Sequence, residues 1–507
     1  MTAIAVLDCV GIRDLALSPL GEGPSALERV LEKVRGLPGV GQVVLVSDRD
    51  LPGAPVPVVK VPGPGSRPFL EALEAILAAV HAGTEGRDAL IRIRGDAPFL
   101  DPALTGRMLE DFRRYRAEYY FADGFPAGVA PEILSPRILP ALRALAEKVP
   151  EPLGEEGLFP VIQKDINSFD LETEISRVDL REYRLSLTCD TRRNRMVCER
   201  LLDLGAGDAE SILDLVPANL GLLRTLPAFV SVQVAGGCPQ ACSYCPYPGF
   251  GGDILSRRDF LPVERYSRLM DQAADLCGDA VVDLSLWGEP SLHPDFPALV
   301  KSTLRHPGLS LIVETSGVGW DDDTVEKAAA LADGRLDWIV SLDETDPEAY
   351  ARLRGPGFEE AMARTGTLMR LFPGRVHIQA VRMKENEERL EAFYRGWKAR
   401  TENVIIQKYD SFCGTLPDRS VADLSPLDRR PCWHLARDVC VLLDGSVPVC
   451  RECRAPGLPE GAEILGNVFE EGLAALWARG EPWFRRHTAK DYPAICGRCD
   501  EYHTYNA

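Results

Sequence analysis

Three cysteines lie close together in the middle of the chain, at Cys238, Cys242 and Cys245. Their spacing is C-x3-C-x2-C, and they follow an apolar, strand-like run at 229–235. A [4Fe–4S] cluster normally takes four thiolates, so three from one loop leave one iron without a protein ligand. Structural zinc prefers four ligands in a closed geometry, which this loop does not offer. The motif therefore predicts an iron–sulfur cluster with an open, reactive metal position.

A second group of six cysteines lies near the end of the sequence. Four thiols are enough for one closed cluster, and the short segments around them bury too little apolar surface to fold without a metal. By spacing alone the final C-x2-C pair suits a zinc ribbon equally well. The group comprises Cys432, Cys440, Cys450, Cys453, Cys496 and Cys499.

Charge and hydropathy narrow the class of protein. The chain of 507 residues has 57 basic and 76 acidic side chains, a net charge of -19, which disfavours binding to nucleic acid. No apolar run approaches the roughly 20 residues of a membrane span, and the N-terminus lacks the pattern of a signal peptide. We therefore expect a cytoplasmic protein without membrane partners, whose 14 cysteines are reduced thiols or metal ligands.

The first 205 or so residues alternate between strand-like and helix-like segments. Ser25 lies three residues before Glu28, which predicts a capped helix start. The alternation predicts a mostly parallel sheet covered by helices. Strands are predicted at 3–7, 43–46 and 89–93, and helices at 25–34, 68–80 and 102–116.

A second alternating series begins at Phe229. Six strand–helix units predict an open, partial (βα)6 barrel, a relative of the closed eight-unit barrel. The strands are predicted at 229–234, 281–286, 310–313, 336–340, 376–381 and 404–407. The α/β chain is thus expected to have four parts: a parallel-sheet domain at 1–205, a helical connection at 206–225, the barrel at 226–424 and a small cysteine-rich domain at 425–507.

The central cysteine motif, with Tyr244 before its last cysteine, resembles the radical S-adenosylmethionine (radical SAM) superfamily. The resemblance covers about residues 226–410. It implies that the open iron is chelated by the amino and carboxylate groups of SAM, and that the reduced cluster cleaves SAM to methionine and a 5′-deoxyadenosyl radical. An external electron donor such as flavodoxin or ferredoxin is implied as well.

The same resemblance assigns SAM contacts at the ends of the following strands. Gly288-Glu289-Pro290 is similar to the family's GGEP loop, whose carbonyls receive the SAM ammonium group. Trp287 replaces the first glycine, which is tolerable if residue 287 does not need a positive φ angle. Tyr244 matches the aromatic residue beside adenine.

Further SAM contacts are implied at Thr315, Ser316 and Ser341, which match the family's ribose and carboxylate contacts. Arg382 is a candidate partner for the carboxylate, because guanidinium matches its geometry. Taken singly, such residues are often ordinary turn residues, and Asp343 could be the N-cap of the helix near residue 347. Their common position at the carboxyl ends of successive strands favours the functional interpretation.

The C-terminal cysteines resemble the SPASM and twitch domains that follow many radical SAM cores. Gly445 is separated by four residues from Cys450, and Cys496 and Cys499 form the distant pair. The resemblance implies one auxiliary [4Fe–4S] cluster held by Cys432, Cys450, Cys496 and Cys499. It leaves open whether Cys440 and Cys453 bind metal.

The N-terminal part resembles sugar-type cytidylyltransferases, nucleotidyltransferases of the GT-A-like class. The motif is Gly95-Asp96-Ala-Pro98 with Asp101-Pro102, and the family's aspartate at position 96 binds Mg²⁺ and the nucleotide. The stretches 126–133 and 187–191 resemble the same family. The expected phosphate-binding loop is poor in glycine and basic residues here, so we expect a degenerate domain that binds a substrate or partner.

The order of these parts resembles the spirochaete-associated spiro-SPASM proteins. It implies a radical SAM enzyme that abstracts hydrogen from a peptide, carbohydrate, nucleotide-linked or other small-molecule substrate, with no catalytic side chain assigned. Two alternatives stay open. One is a bifunctional enzyme with an active N-terminal nucleotidyltransferase, and the other is a non-catalytic iron–sulfur or zinc protein.

Overall fold

The computed structural model describes residues 2–51, 55–63, 66–81, 87–149, 156–250, 252–454 and 463–504. The chain divides into two compact units, Met1–Leu223 and Arg224–Ala507. Each unit contains a seven-stranded sheet whose strands are joined largely through helices. Among the described helices, none combines the length and apolar composition that crossing a bilayer requires.

The first unit has a mixed, mainly parallel sheet in the order β5-β4-β1-β6-β8-β7-β9. Strand β8 runs antiparallel to β6 and β7, and the other pairings in this sheet are parallel. The strands are β1 (Thr2–Asp8), β2 (Pro19–Leu20), β3 (Gly23–Ser25), β4 (Val40–Ser47), β5 (Val58–Lys60), β6 (Arg87–Arg94), β7 (Tyr119–Asp123), β8 (Glu132–Leu134) and β9 (Leu171–Ile175). The helices are α1 (Asp14–Leu17), α2 (Ala26–Arg35), α3 (Ser66–His81), α4 (Pro102–Tyr115), α5 (Leu139–Ala146), α6 (Phe159–Ile162), α7 (Arg192–Asp203) and α8 (Ala209–Ala218).

Strand β1 is buried on both faces, as expected of a central parallel strand. Ala5 and Leu7 belong to one hydrophobic cluster, whereas Ile4 and Val6 belong to the cluster on the opposite face. The predicted start of α2 is confirmed: Ser25 Oγ accepts from Glu28 N, and Glu28 Oε2 accepts from Ser25 N at 2.8 Å. The mostly parallel sheet predicted for this part is confirmed.

The second unit has a fully parallel sheet in the order β15-β14-β13-β12-β11-β10-β16. Its strands are β10 (Phe229–Val232), β11 (Ala280–Asp283), β12 (Leu309–Thr315), β13 (Leu336–Ser341), β14 (Val376–Arg382), β15 (Val404–Lys408) and β16 (Asp438–Val441), and a hairpin contains β17 (Ser446–Pro448) and β18 (Ile464–Asn467). The helices are α9 (Tyr247–Phe250), α10 (Val263–Cys277), α11 (Phe296–Leu304), α12 (Asp322–Leu331), α13 (Pro347–Arg354), α14 (Phe358–Leu371), α15 (Glu387–Lys398), α16 (Trp433–Arg437), α17 (Val468–Glu471), α18 (Leu473–Arg479), α19 (Glu481–Thr488) and α20 (Ala494–Gly497). Strands β10 to β15 are the six predicted for the partial barrel.

Strand β16 extends this sheet at the side of β10. It pairs in parallel with β10, with Phe229 opposite Asp438 and Ser231 opposite Cys440. The sequence analysis predicted no strand here, because a run of four residues is too short for a periodic signal. The domain boundaries predicted at 205, 225 and 424 stay predictions.

Candidate functional site

The carboxyl ends of β10 to β15 surround a cavity of about 220 Å³. The loop after β10 contributes the three central cysteines, and the ends of the other five strands contribute mainly polar groups. Nine of the residues assigned to SAM or to its cluster line this cavity: Cys238, Cys242, Tyr244, Cys245, Gly288, Glu289, Thr315, Ser316 and Ser341. Pro290 and Arg382 do not belong to the lining.

The three cysteine thiols are held in a partly apolar wall. Cys238 and Cys245 pack beside Trp287, and Cys238 N donates to Ile254 O at 2.9 Å. Burial is the main reason why the pKa of each thiol is raised, to about 12 for Cys245. Thiols with such pKa values keep their protons until a metal centre binds them as thiolates. Three half-buried sulfur donors on one loop fit the three-cysteine attachment of a [4Fe–4S] cluster.

Gly288 allows the loop after β11 to pass close to the loop after β10. Its φ angle is 85°, and a Cβ atom there would lie 2.1 Å from the carbonyl oxygen of Ala235. Trp287 does not have a positive φ angle, so the condition for replacing the family's first glycine is met. The indole packs instead against the rings of Tyr247 and Phe412, with centroids 6.0 and 5.7 Å away.

Glu289 is buried and connects the loop after β11 to the end of β12 through hydrogen bonds. Its carboxylate accepts hydrogen bonds from Thr315 Oγ1 at 2.5 Å, from Ser316 N at 2.8 Å and from Ser316 Oγ at 2.7 Å. Burial raises the pKa of Glu289 above its ordinary value. The hydroxyls of Thr315 and Ser316, assigned to SAM from the sequence, are thus engaged by Glu289 and shape the cavity wall.

Tyr244 belongs to a buried cluster that the sequence analysis did not foresee. Its hydroxyl donates to Asp343 Oδ2 at 2.5 Å, and Arg354 Nη1 donates to the same carboxylate oxygen at 2.7 Å. Asp343 has a left-handed φ of 64° and caps no helix; the N-cap of α13 is Asp346. The N-cap interpretation of Asp343 is therefore wrong, and this carboxylate instead pairs with the arginine that lines the cavity.

Arg382 lies away from the lining of the cavity, and its guanidinium donates to Glu387 at 2.8 and 2.6 Å. Arg354, by contrast, lines the cavity, and its charge acts on Cys242. Across the neighbouring strands β12, β13 and β14, Gln379 Nε2 donates to Glu314 Oε1 at 2.7 Å and to Ser341 Oγ at 3.1 Å. Ser341 is thus in the cavity, as predicted, within a polar set formed by three strands.

A second cavity in this unit lies among the C-terminal cysteines. Its lining includes Cys432, Cys450, Cys496 and Cys499, the four residues assigned to the auxiliary cluster. Cys440 and Cys413 line it too, and Cys453 lies outside the lining with its sulfur 3.8 Å from Cys450 Sγ. Burial and the nearby charge of Asp438 raise the pKa of Cys440, and the charge of Arg451 opposes the rise.

Two buried hydrogen-bond donors in the lining of this second cavity indicate that it holds an anionic group. His487 Nδ1 accepts from Cys432 N at 3.3 Å, so the ring proton is on Nε2, which has no partner among the described residues. Burial lowers the pKa of His487 to about 4, so the ring is neutral. Arg429 Nε likewise lacks a hydrogen-bond partner in the described part of the chain. Unsatisfied buried donors beside several thiols fit a negatively charged, thiolate-bound cluster.

The first unit contains a different arrangement at the end of β6. Arg94 donates to both oxygens of Asp96, at 2.9 and 2.7 Å, and its Nη2 also lies 3.3 Å from Asp190 Oδ2. Arg92, two residues earlier on the same strand, is paired with Asp8 and Glu132. The aspartate assigned to Mg²⁺ from the sequence therefore has a guanidinium as its partner.

Comparison with known proteins gives matches in both units. Residues 232–395 match the model of the radical SAM superfamily, and residues 11–164 match that of the MobA-like NTP transferase domain. An uncharacterized protein of Treponema pallidum (strain Nichols) is 38% identical over 365 residues, covering 69% of this chain and 98% of that protein. The chain belongs to the radical SAM superfamily.

This radical SAM protein is also similar to a named enzyme and to a solved structure. A PqqA peptide cyclase of Xanthomonas axonopodis pv. citri (strain 306) is 25% identical over 313 residues, which is 54% of this chain and 80% of the cyclase. The crystal structure of Streptococcus suis SuiB bound to the precursor peptide SuiA aligns with a TM-score of 0.41 and 14% identity, covering 55% of this chain and 76% of that one.

Sequence reasoning missed several residues of the radical SAM cavity. Arg354 ends a helix that carries no recognisable motif, and Gln240, whose Oε1 accepts from Arg354 Nε at 3.1 Å, lies between two cysteines in an ordinary loop. Asp410 and Arg451 also line the cavity and form an ion pair at 3.0 Å. The position of Asp410 just after β15 was the one available signal, since the other strand ends all carry site residues.

Proposed function

We propose that this protein is a radical SAM enzyme in which Cys238, Cys242 and Cys245 hold a [4Fe–4S] cluster and the adjoining cavity takes SAM. When bound, the reduced cluster would supply the electron that cleaves SAM. The observation that supports this most is the convergence of three thiols and five further strand ends on one cavity. A closed structural metal site would not need that open space beside its ligands.

The protein's own groups would orient SAM in this cavity. The loop at Gly288 brings backbone carbonyls next to the cysteine loop, which suits an ammonium group. Arg354 is a fixed cation beside Cys242, and its charge lowers the cost of thiolate formation there. Glu289 would keep the loop after β11 in register with β12, through the three hydrogen bonds described above.

We further propose that the second cavity holds an auxiliary [4Fe–4S] cluster. The thiols that line it and the unsatisfied donors of Arg429 and His487 support this assignment. For the substrate we propose a peptide or a small molecule, which would enter the first cavity beside Asp410. The similarity to enzymes named PqqA peptide cyclase supports the peptide class.

The test is SAM cleavage by anaerobically reconstituted protein after chemical reduction, measured as 5′-deoxyadenosine. Wild-type protein should form it, and Cys242→Ala should form none while remaining folded. Cys277→Ala is the matched control, because Cys277 is a buried cysteine at the end of α10, outside the cavity lining, and it should cleave SAM at the wild-type rate. Equal activity of Cys242→Ala and wild type would overturn the proposal.

A further inference from the structure

The turn at 410–414 lies between the two cavities of the second unit. Asp410 and Phe412 line the SAM cavity, whereas Cys413, the next residue, lines the second cavity. Phe412 and Cys413 have left-handed φ angles of 50° and 56°, which are unusual for residues other than glycine. Such backbone strain persists only where the surroundings enforce it.

Two anchors connect this turn to the C-terminal cysteine pair. Lys408 Nζ contacts Asp500 Oδ2 at 2.7 Å and Glu501 Oε1 at 2.5 Å, just after Cys499. Arg498 Nη2 donates to Gly414 O at 3.3 Å, just before Cys499. The segment that carries Cys413 is thereby fixed against the segment that carries Cys499, on both sides of the two cysteines.

The two cysteines lie between these anchors. Cys413 is only 1% exposed and lines the second cavity together with Cys499. A buried cysteine in a strained turn that shares a cavity with four predicted ligands is better explained as a ligand than as a packing residue. We propose that Cys413 is a thiolate ligand of the auxiliary cluster, supplied from the end of the barrel. Because the cluster has four thiolate positions, Cys413 takes the place of one of the four C-terminal cysteines assigned from the sequence. Its proton is released to solvent when the sulfur binds iron.

This inference rests on the proposed auxiliary cluster, and the test separates the two. In a Cys242→Ala background the metal that remains reports the second cavity alone. We expect about four irons per chain there, as one [4Fe–4S] cluster requires, with the EPR signal of a reduced cluster. Addition of Cys413→Ala should remove this iron or, if another thiol substitutes, change the EPR g values. Addition of Cys440→Ala should change neither, because Cys440 lines the same cavity from β16 and is not among the proposed ligands.

Unchanged iron content and unchanged EPR signal in the Cys413→Ala protein would overturn the inference while leaving the auxiliary cluster in place. Absence of iron from the Cys242→Ala protein would instead overturn the auxiliary cluster, and the ligand role of Cys413 with it. Loss of iron in the Cys440→Ala protein but not in the Cys413→Ala protein would identify Cys440, on β16, as the ligand instead of Cys413.

The first unit supports a second, independent inference. A divalent cation held by Asp96 and Asp190 would need both carboxylates free to face it. Instead, Nη2 of Arg94 lies 2.7 Å from Asp96 and 3.3 Å from Asp190, between the two oxygens. Hydrogen bonding from Asn194 and the charge of Arg94 outweigh burial and lower the pKa of Asp190, so it is ionised. The residues present do not fit a bound Mg²⁺.

We infer that the Arg94 guanidinium permanently occupies the cation position of this nucleotidyltransferase-like unit, which therefore binds no catalytic divalent metal. The two carboxylates neutralise Arg94, so it does not add positive charge for a nucleoside triphosphate. The unit would then take a ligand that needs no metal, which argues against the bifunctional enzyme.

Mn²⁺ binding to the full-length protein, measured by room-temperature EPR of the free ion, tests this inference. Wild type should show no Mn²⁺ binding that depends on Asp96, and Arg94→Ala should gain one site that disappears again in Arg94→Ala/Asp96→Asn. Arg181→Ala is the control, because it frees the exposed carboxylates of Asp123 and Asp179 and should gain no site. Mn²⁺ binding by wild type that is lost in Asp96→Asn, or no gain in Arg94→Ala, would overturn the inference.

Discussion

Both units have a cavity at the carboxyl ends of sheet strands, of about 290 Å³ in the first and about 220 Å³ in the second, but they differ in what lies beside the predicted metal ligands. In the first unit, the guanidinium of Arg94, the last residue of β6, pairs with both Asp96 and Asp190, so the position is filled by the chain itself. In the second, thiols and polar side chains from six strand ends face a cavity. The architecture is similar in both units, so the difference lies in whether the chain supplies its own counter-charge.

The comparison also shows that arginine can serve either purpose. Arg94 closes its site, because both of its carboxylate partners would otherwise hold a metal. Arg354 pairs with one carboxylate, that of Asp343, and lines the cavity beside the cysteine loop, whereas Arg94 pairs with two.

The largest effect is expected from Arg354→Ala in the second unit. It leaves the Asp343 carboxylate, whose side chain is 0% exposed, without its ionic partner, which costs about 3–5 kcal/mol when a buried pair is broken. We also expect SAM affinity to fall by at least about tenfold, which corresponds to 1.4 kcal/mol. Isothermal titration with SAM and denaturant unfolding measure the two effects. Arg382→Ala is the control; its pair with Glu387 is partly exposed, so little should change. A larger SAM defect in Arg382→Ala than in Arg354→Ala would contradict the placement of the site.

Arg92→Leu is the counterpart in the first unit. Arg92 is 5% exposed and pairs with Asp8 at 2.6 Å and with Glu132, so its loss leaves two buried carboxylates unpaired. We expect this variant to be destabilised by about 3–5 kcal/mol, with SAM cleavage by the surviving folded protein unchanged. Limited proteolysis and 5′-deoxyadenosine formation measure the two properties. Loss of SAM cleavage in a fully folded Arg92→Leu protein would show that the units are functionally coupled.

Asp283 gives the second unit a pH dependence of stability. Burial raises the pKa of this carboxyl to about 7, against an ordinary value of about 3.9 in the unfolded chain. Between these values the folded state holds a proton that the unfolded state has released, so stability falls as the pH rises from about 4 to 7. Asp283→Asn should remove this fall and be about 1–3 kcal/mol more stable than wild type at pH 8. Melting temperatures at pH 6 and 8 test this; an unchanged slope in the variant would assign the pH dependence to another group.

The smallest effect is expected from Ser25→Ala in the first unit. The serine hydroxyl accepts the N–H of Glu28 at the start of α2, and loss of such a cap costs about 1 kcal/mol. Denaturant unfolding should detect this loss without any change in SAM cleavage. A Ser25→Gly variant should lose only a few tenths of a kilocalorie per mole, and a larger loss than for alanine would mean that α2 is held by other contacts.

Much of the fold could be predicted because its signals are local. Apolar runs at 3–7 or 336–340 are long enough to define strands, and the pair Ser25 and Glu28 marks a helix start by its spacing alone. Strand β16 could not be predicted, because a four-residue run gains its stability from pairing with β10, more than 200 positions away. Its assignment needed the tertiary structure.

The site divides in the same way. The cysteines, Gly288 and Glu289 form motifs within a few residues, so the sequence identifies them. Arg354 becomes part of the cavity only through folding and has no distinctive neighbour in sequence, whereas Cys413 lies in a glycine-containing loop after β15, which leaves its role open. The Arg94 pair with Asp190 joins residues 96 positions apart. Sequence alone showed the aspartates and could not show that an arginine separates them.

The central claim is that the open cavity of the second unit binds a cluster that cleaves SAM. The most direct test is anaerobic reconstitution of wild-type protein, followed by iron and sulfide analysis and assay of 5′-deoxyadenosine after reduction with SAM. The account predicts about eight irons per chain, as two [4Fe–4S] clusters require, together with 5′-deoxyadenosine. Zinc in place of iron, or a full complement of iron without SAM cleavage, would contradict it.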